Sequence, residues 1–199
     1  MAPRSMIYKT GVYLCRKHGM MLKSSLIFLS LMVSMSWNGN FRKIKLSDTV
    51  TVFVPKDFTP MTSADIKQRY LSYRKPMTML TDPDRIVDFG VNRSFSLWNE
   101  GDLELLSKFY RTSLLNLFDK VEFIDTGIRT VNDHEFVYFE FISTEFATED
   151  FQHNISKYTY LMYGLSEGTT YLFNFSCPLH VKAQWQSTAH QIMDAVRLK

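Results

Sequence analysis

Four histidines beyond residue 39 (His134, His153, His180 and His190), one cysteine (Cys177) and scattered carboxylates are the side chains here that could do chemistry. No two of the histidines stand at i and i+4 with a neighbouring Glu, the spacing that sets two imidazoles on one helical face around zinc. Asp82, Asp84 and Asp88 imitate the start of a calcium loop, but the Gly at its sixth position and the closing Glu are missing. Asp82-Pro83-Asp84 reads instead as a turn, because Pro fixes φ and Asp bonds back to its own backbone. Glu145, Glu149 and Asp150 read as a solvated acidic loop rather than a metal cage. There is no G-x-S-x-G nucleophile elbow and no Gly-rich phosphate loop; Asn38-Gly39-Asn40 holds a lone Gly. Cys177 reads as a small apolar residue buried at a strand end, its usual role, and not as a nucleophile. The sequence thus specifies no catalytic, cofactor-binding or metal-binding residue, and the chain is expected not to be an enzyme.

Aromatic residues are the remaining candidates. Tyr158, Tyr160, Tyr163, Tyr171 and Phe173 crowd one stretch. Two uses fit them: packing beneath helices, or a concave sheet face for an apolar peptide or lipid.

The elements that must carry these residues follow from hydrophobic period. Phe41 to Lys45 and Thr49 to Val54 read as strands, the second stopped by Pro55-Lys56-Asp57. Thr62 or Ser63 caps a short helix through about Tyr70, with Asp65 in its first turn. Met77 to Thr81 and Ile86 to Asn92 read as a hairpin across Asp82-Pro83-Asp84. Leu103, Leu106, Tyr110, Leu114 and Leu117 step by three and four and line one face of a helix, with Asn99 or Asp102 at its start. From Lys120 the period becomes two: Val121 to Val131, a tight turn at Asn132-Asp133, and Glu135 to Glu145. Phe136, Tyr138, Glu140 and Ile142 point one way and Val137, Phe139 and Phe141 the other, so this strand is expected to be covered on both faces. Ile155 to Tyr163 and Thr169 to Ser176 form a second hairpin across Leu165-Ser166-Glu167-Gly168. Pro178 starts a last helix whose buried stripe is Val181, Trp185, Ala189, Ile192 and Val196. The sum is an α+β fold, an antiparallel sheet of about six strands flanked by helices on both faces.

Ahead of this lies a different kind of segment. Residues 1–36 carry five basic residues and no acidic one, and they contain the apolar run Leu26 to Val33. That is the shape of an export leader, with Arg16, Lys17 and Lys23 as the positive region and Ser36 or Gly39 at the cut. The run is short for a transmembrane span, so an uncleaved leader is the one membrane attachment expected. Met21 offers a second start that would give a leader of ordinary length. Residues 1–38 are therefore read as leader and 39–199 as a single domain, acting in the periplasm of a bacterium.

Charge follows the same partition. The chain has 23 Lys and Arg against 20 Asp and Glu. With the five leader bases set aside, 18 bases face 20 acids, a net of −2. Nothing in that balance marks a nucleic-acid footprint. One cysteine in residues 39–199 excludes an internal disulfide there. Asn92-Arg93-Ser94, Asn154-Ile155-Ser156 and Asn174-Phe175-Ser176 match the glycosylation sequon, which carries no meaning in a bacterium.

Three stretches carry a resemblance. Val52-Phe53-Val54-Pro55-Lys56-Asp57-Phe58, Asp88-Phe89-Gly90-Val91-Asn92, and Phe173-Asn174-Phe175-Ser176-Cys177-Pro178 followed by Trp185 and Ile192 resemble the opening strand, the strand before the long helix, and the last strand and closing helix of PsbP-like domains. This superfamily includes PsbP-related and DcrB-type exported bacterial proteins. The resemblance covers most of residues 41–199 and implies an α/β/α sandwich with a binding or assembly role; it lends no site residue. The expectation is a non-enzymatic binding or assembly protein meeting a protein or peptide of the cell envelope at a sheet edge or groove. The alternatives are a carrier of an apolar ligand and a hydrolase assembled from distant residues.

Overall fold

The computed structural model describes residues 40–70, 75–95, 98–147 and 153–199. The expected leader, and Glu149 and Asp150 of the acidic loop, lie outside them. In chain order the elements are β1 (Phe41–Lys45), β2 (Val50–Pro55), β3 (Thr59–Pro60), α1 (Ser63–Arg69), β4 (Thr78–Thr81), β5 (Asp88–Phe95), α2 (Leu103–Leu117), β6 (Lys120–Val131), β7 (His134–Glu145), β8 (Ile155–Ser166), β9 (Thr169–Pro178), α3 (Lys182–Asp194) and β10 (Arg197–Leu198). They form a seven-stranded sheet in the order β3-β4-β5-β9-β8-β7-β6 and a three-stranded sheet in the order β1-β2-β10. Every pairing is antiparallel.

Alternation along the central strands sends side chains into two cores. On one face Phe136, Tyr158, Tyr160, Met162, Phe173 and Phe175 meet Ala189, Ile192 and Met193 of α3 together with Val50, Val52 and Val54 of β2. On the other, Val137, Phe139, Phe141, Leu161 and Tyr163 meet Leu103, Leu106 and Leu114 of α2. Helices thus cover both faces, as the doubly apolar strand requires. Local chemistry fixes the ends. Thr62 Oγ1 accepts the Asp65 N–H at 3.2 Å and Asp65 accepts the Thr62 N–H at 2.9 Å, a reciprocal cap that starts α1. Among the described residues no helix is long and apolar enough to cross a membrane.

The structure differs from the sequence reading in several places. That reading names eight strands and expects a sheet of about six; there are ten strands in two sheets, and the two unread ones, β3 and β10, are two residues long and show no period. β1 and β2 pair with each other and with β10, outside the main sheet. The β8–β9 strands run further than expected, so Leu165 and Ser166 are laddered and only Glu167 and Gly168 turn, both at positive φ (50° and 68°). At the helices, Leu117 is 70% exposed and leaves the α2 stripe, a 3₁₀ turn at Leu179–Val181 separates Pro178 from α3, and Val196 is buried beyond the helix end.

Candidate functional site

The main sheet ends at β6, which is twelve residues long and pairs only with β7 among the described strands. Its outer row of N–H and C=O groups is therefore an open ladder. A bulge between Phe123 and Asp125 leaves Ile124 at 42% exposure. The strand carries Lys120 paired with Glu122, and beyond the bulge Asp125 and Arg129 point to the α3 side. Such charges and a bulge are what keep a long edge from sticking indiscriminately. Between them sits Gly127. A Cβ there would lie 3.3 Å from Tyr138 Cε1 and 3.4 Å from its hydroxyl oxygen, so the Tyr138 ring covers the glycine. The Tyr138 hydroxyl donates to Asp125 at 3.0 Å.

Behind the edge a polar band runs inward beneath α3. The Arg129 guanidinium donates to Tyr160 Oη at 2.7 Å and pairs with Asp194 at the end of α3. The Tyr160 ring meets the His190 ring edge-on, centroids 5.1 Å apart. His190 Nε2 lies 3.2 Å from both carboxylate oxygens of Glu140. Glu140 is only 3% exposed, and its Oε1 also accepts from Tyr158 at 2.8 Å and from Gln186 Nε2 at 2.6 Å. A carboxylate is tolerated in such a place only when several donors replace its water. The same proximity drives the Tyr158 hydroxyl far above its ordinary range, by burial first and then by the Glu140 bond. Tyr160 is pushed up to about 12, again by burial, with Arg129 pulling the other way.

This band holds groups in place but gives no nucleophile. The hydrogen bonds described to the Glu140–His190 pair come from a phenol and an amide. Among the described residues no three His, Cys, Asp or Glu side chains gather as a metal would need. The remaining sequence candidates are dispersed. His134 stacks on Phe136, and His153 and His180 are exposed. Asp82 Oδ1 accepts the Ile86 and Val87 N–H groups at 2.8 Å, which is turn chemistry. Asp88 instead takes Arg69 and Tyr70. Asn154 accepts the Ala147 N–H, and Asn92 and Asn174 lie within strands.

The five clustered aromatics do not share a face. Tyr158, Tyr160, Tyr171 and Phe173 enter the α3-side core, whereas Tyr163 faces α2 and stacks on Tyr110 at 3.9 Å. They are consumed in packing. Sequence reasoning passed over Glu140 and Arg129. Their signal was faint but present: a charged residue at an inward position of a strand otherwise apolar on that side.

Cys177 is 2% exposed and its thiol is pushed up to about 12, chiefly by burial, with the Asp82 charge adding to it. At pH 8 its thiolate fraction is about a thousandfold below that of an unperturbed thiol, and alkylation of the Cys177 peptide by iodoacetamide, followed by mass spectrometry, should be slower by that order. Tyr160 and Cys177 both hold their protons longer when folded than when unfolded. Their contribution to stability is complete below pH 9 and is lost as pH rises toward 12, measurable as a falling urea midpoint over that window.

No protein-family model matches the sequence, and no curated protein matches it. The likeness is in three dimensions. Cyanobacterial PsbP (CyanoP) from Synechocystis superposes with a TM-score of 0.56 at 10% identity, covering 80% of this chain and 93% of that one. The Ran-binding protein Mog1p of Saccharomyces cerevisiae gives 0.51 at 12% identity, with 80% and 95% covered. LpqN of Mycobacterium tuberculosis, a protein involved in cell envelope biogenesis, gives 0.50 at 10% identity, with 80% and 90% covered. With its antiparallel sheet covered by α2 on one face and α3 on the other, this chain has the PsbP-like fold.

Proposed function

We propose that this chain is an exported, non-enzymatic binding protein whose residues 39–199 act as one unit and take an extended segment of a cell-envelope protein along the outer edge of β6. The observation that carries this is the open twelve-residue ladder of β6, bounded by the Asp125–Tyr138 and Arg129–Asp194 contacts. Main-chain bonds along such an edge supply affinity, and pockets or charges at alternate residues supply selectivity. The polar band serves this edge as a positioning device, since Tyr160 and Asp194 fix where Arg129 presents its charge. Support for a binding role comes from the way the Glu140–His190 pair is used: the Tyr158 phenol and the Gln186 amide saturate Glu140 Oε1 and tie α3 to the sheet. The Ran-binding description of Mog1p and the envelope-biogenesis description of LpqN point the same way for those proteins.

The test places a photo-crosslinking residue at Ile124, on the edge, and at Leu117, on α2, in envelope preparations of the native host. A discrete adduct is expected from Ile124 and not from Leu117, both side chains being exposed. Of the adjacent residues Gly127 and Ile128 one directs its N–H outward, and proline at that position should cut the yield at least tenfold by removing a ladder donor. Deuterium exchange of β6 should slow when partner is bound. Equal adducts from both positions, or proline variants that bind as before, would refute the edge. N-terminal sequencing of the envelope-derived protein tests export separately, with a start between residues 37 and 40 expected.

A further inference from the structure

We propose that the outward face of the small β1-β2-β10 sheet docks the protein, reversibly, on an anionic lipid surface. This goes beyond the β6 edge and does not depend on it.

The face is defined by strand alternation. Val50, Val52 and Val54 are fully buried in the core, which turns Thr51, Phe53 and Pro55 outward. The register sets Lys43 opposite Phe53 and Lys45 opposite Thr51 on one side, and Arg197 opposite Thr51 on the other. Lys199 continues the ladder, its N–H bonded to Thr49 O at 3.1 Å. The Arg197 guanidinium lies 5.4 Å from the Phe53 ring centroid, and Phe41 stands opposite Pro55. The Phe53 ring thus lies among Lys43, Lys45 and Arg197 on the outward side, although Phe41 packs against the core, and cations around a ring suit the boundary between headgroups and acyl chains. Its nearest acid, Asp48, is paired with Lys45 at 2.6 Å where both side chains are well exposed, a contact that neutralises little in water.

Charge segregation across residues 39–199 makes the strip stand out. Residues 40–58 with 197–199 hold six basic side chains against two acids, while the rest of the domain holds twelve against eighteen. The excess of bases over acids in a domain of net −2 thus falls at this end, with Lys43, Lys45 and Arg197 on the outward face itself, which orients that face toward a negative surface. The occupant it fits is a lipid surface, whose anionic headgroups meet the cations and whose boundary takes the Phe53 ring.

The test uses the full chain and flotation with two vesicle types, phosphatidylcholine alone and phosphatidylcholine mixed with phosphatidylglycerol. Preference for the mixed vesicles is expected, and it should vanish in high salt. Each cation at an anionic surface is worth about fivefold in partitioning, so Lys43→Gln/Lys45→Gln/Arg197→Gln should lower mixed-vesicle binding roughly a hundredfold. Binding to phosphatidylcholine, which reports the apolar leader, should not change. A control with Lys67→Gln/Lys108→Gln/Lys157→Gln, exposed bases elsewhere, should stay within about twofold of wild type. If the triple variant folds poorly, Lys43→Gln and Lys45→Gln singly, both on exposed positions of an edge strand, should each lose about fivefold. No preference for anionic vesicles, a triple variant that binds as before, or equal binding to soluble poly-aspartate or DNA would each overturn the proposal.

Discussion

Glu140→Ala should destabilise the fold by about 3–5 kcal/mol in urea unfolding, one of the two largest single-residue effects expected in this protein. The cost has separable parts. Tyr158 is fully buried, and without Glu140 its hydroxyl has no acceptor, a loss of about 1–3 kcal/mol. The Gln186 amide and the His190 ring lose the group that ties α3 to β7, and a void opens beneath the helix. Glu140→Gln keeps an acceptor oxygen in place and should cost only about 1 kcal/mol. Tyr158→Phe in the Glu140→Ala background should recover part of the loss, because removing both partners of a buried bond is cheaper than removing one. A Glu140→Ala protein within about 0.5 kcal/mol of wild type would mean that the carboxylate is not held as described.

How much of this was legible in the residues depends on length and period. α2, β6, β7, β8 and β9 each run at least ten residues, long enough for the period to show through the β6 bulge and the loss of Leu117 from the α2 stripe, and their type and two-faced burial follow from side-chain direction. The turn at Asp82 was legible for a similar reason, since its carboxylate bonds only within its own loop. β10 was not: two residues after a helix have no pattern, and only the partner strand β2 shows that they are a strand. Leu165 and Ser166 read as part of the turn, yet both are laddered, because the positive-φ pair Glu167 and Gly168 sets where the hairpin reverses. The polar band was hidden by distance. Arg129 and Asp194 are 65 residues apart and Glu140 and His190 are 50, so no local spacing announces either contact. What the sequence did contain was the anomaly itself, a glutamate at an inward position between Tyr138 and Ile142, and such an anomaly asks for a partner without naming it.

Gly164→Ala should cost about 2–3 kcal/mol and lower the thermal midpoint by several degrees. The reason is where the two sheets touch. A Cβ on Gly164 would fall 2.5 Å from Leu198 Cδ2 of β10 and 2.6 Å and 2.9 Å from two carbons of the Phe136 ring. Leu198 belongs to the small sheet and Phe136 to the large one, so the glycine is the gap through which the sheets approach each other. Phe136 is fully buried against Phe173 and has nowhere to turn. Gly90 makes the comparison. A Cβ there meets Met79 Sδ at 2.3 Å, which is closer, but the obstacle is an unbranched thioether that can swing aside. Gly90→Ala should therefore cost less than Gly164→Ala despite the shorter contact. If relief at Gly164 comes instead by displacing Leu198, exchange protection should fall selectively in β10 and at Thr51, its partner in β2, while β7 and β8 keep theirs. That outcome would also weaken docking through the small sheet without touching any of its cations. Unchanged stability with unchanged protection in both sheets would show that β10 does not seal the core as its position implies.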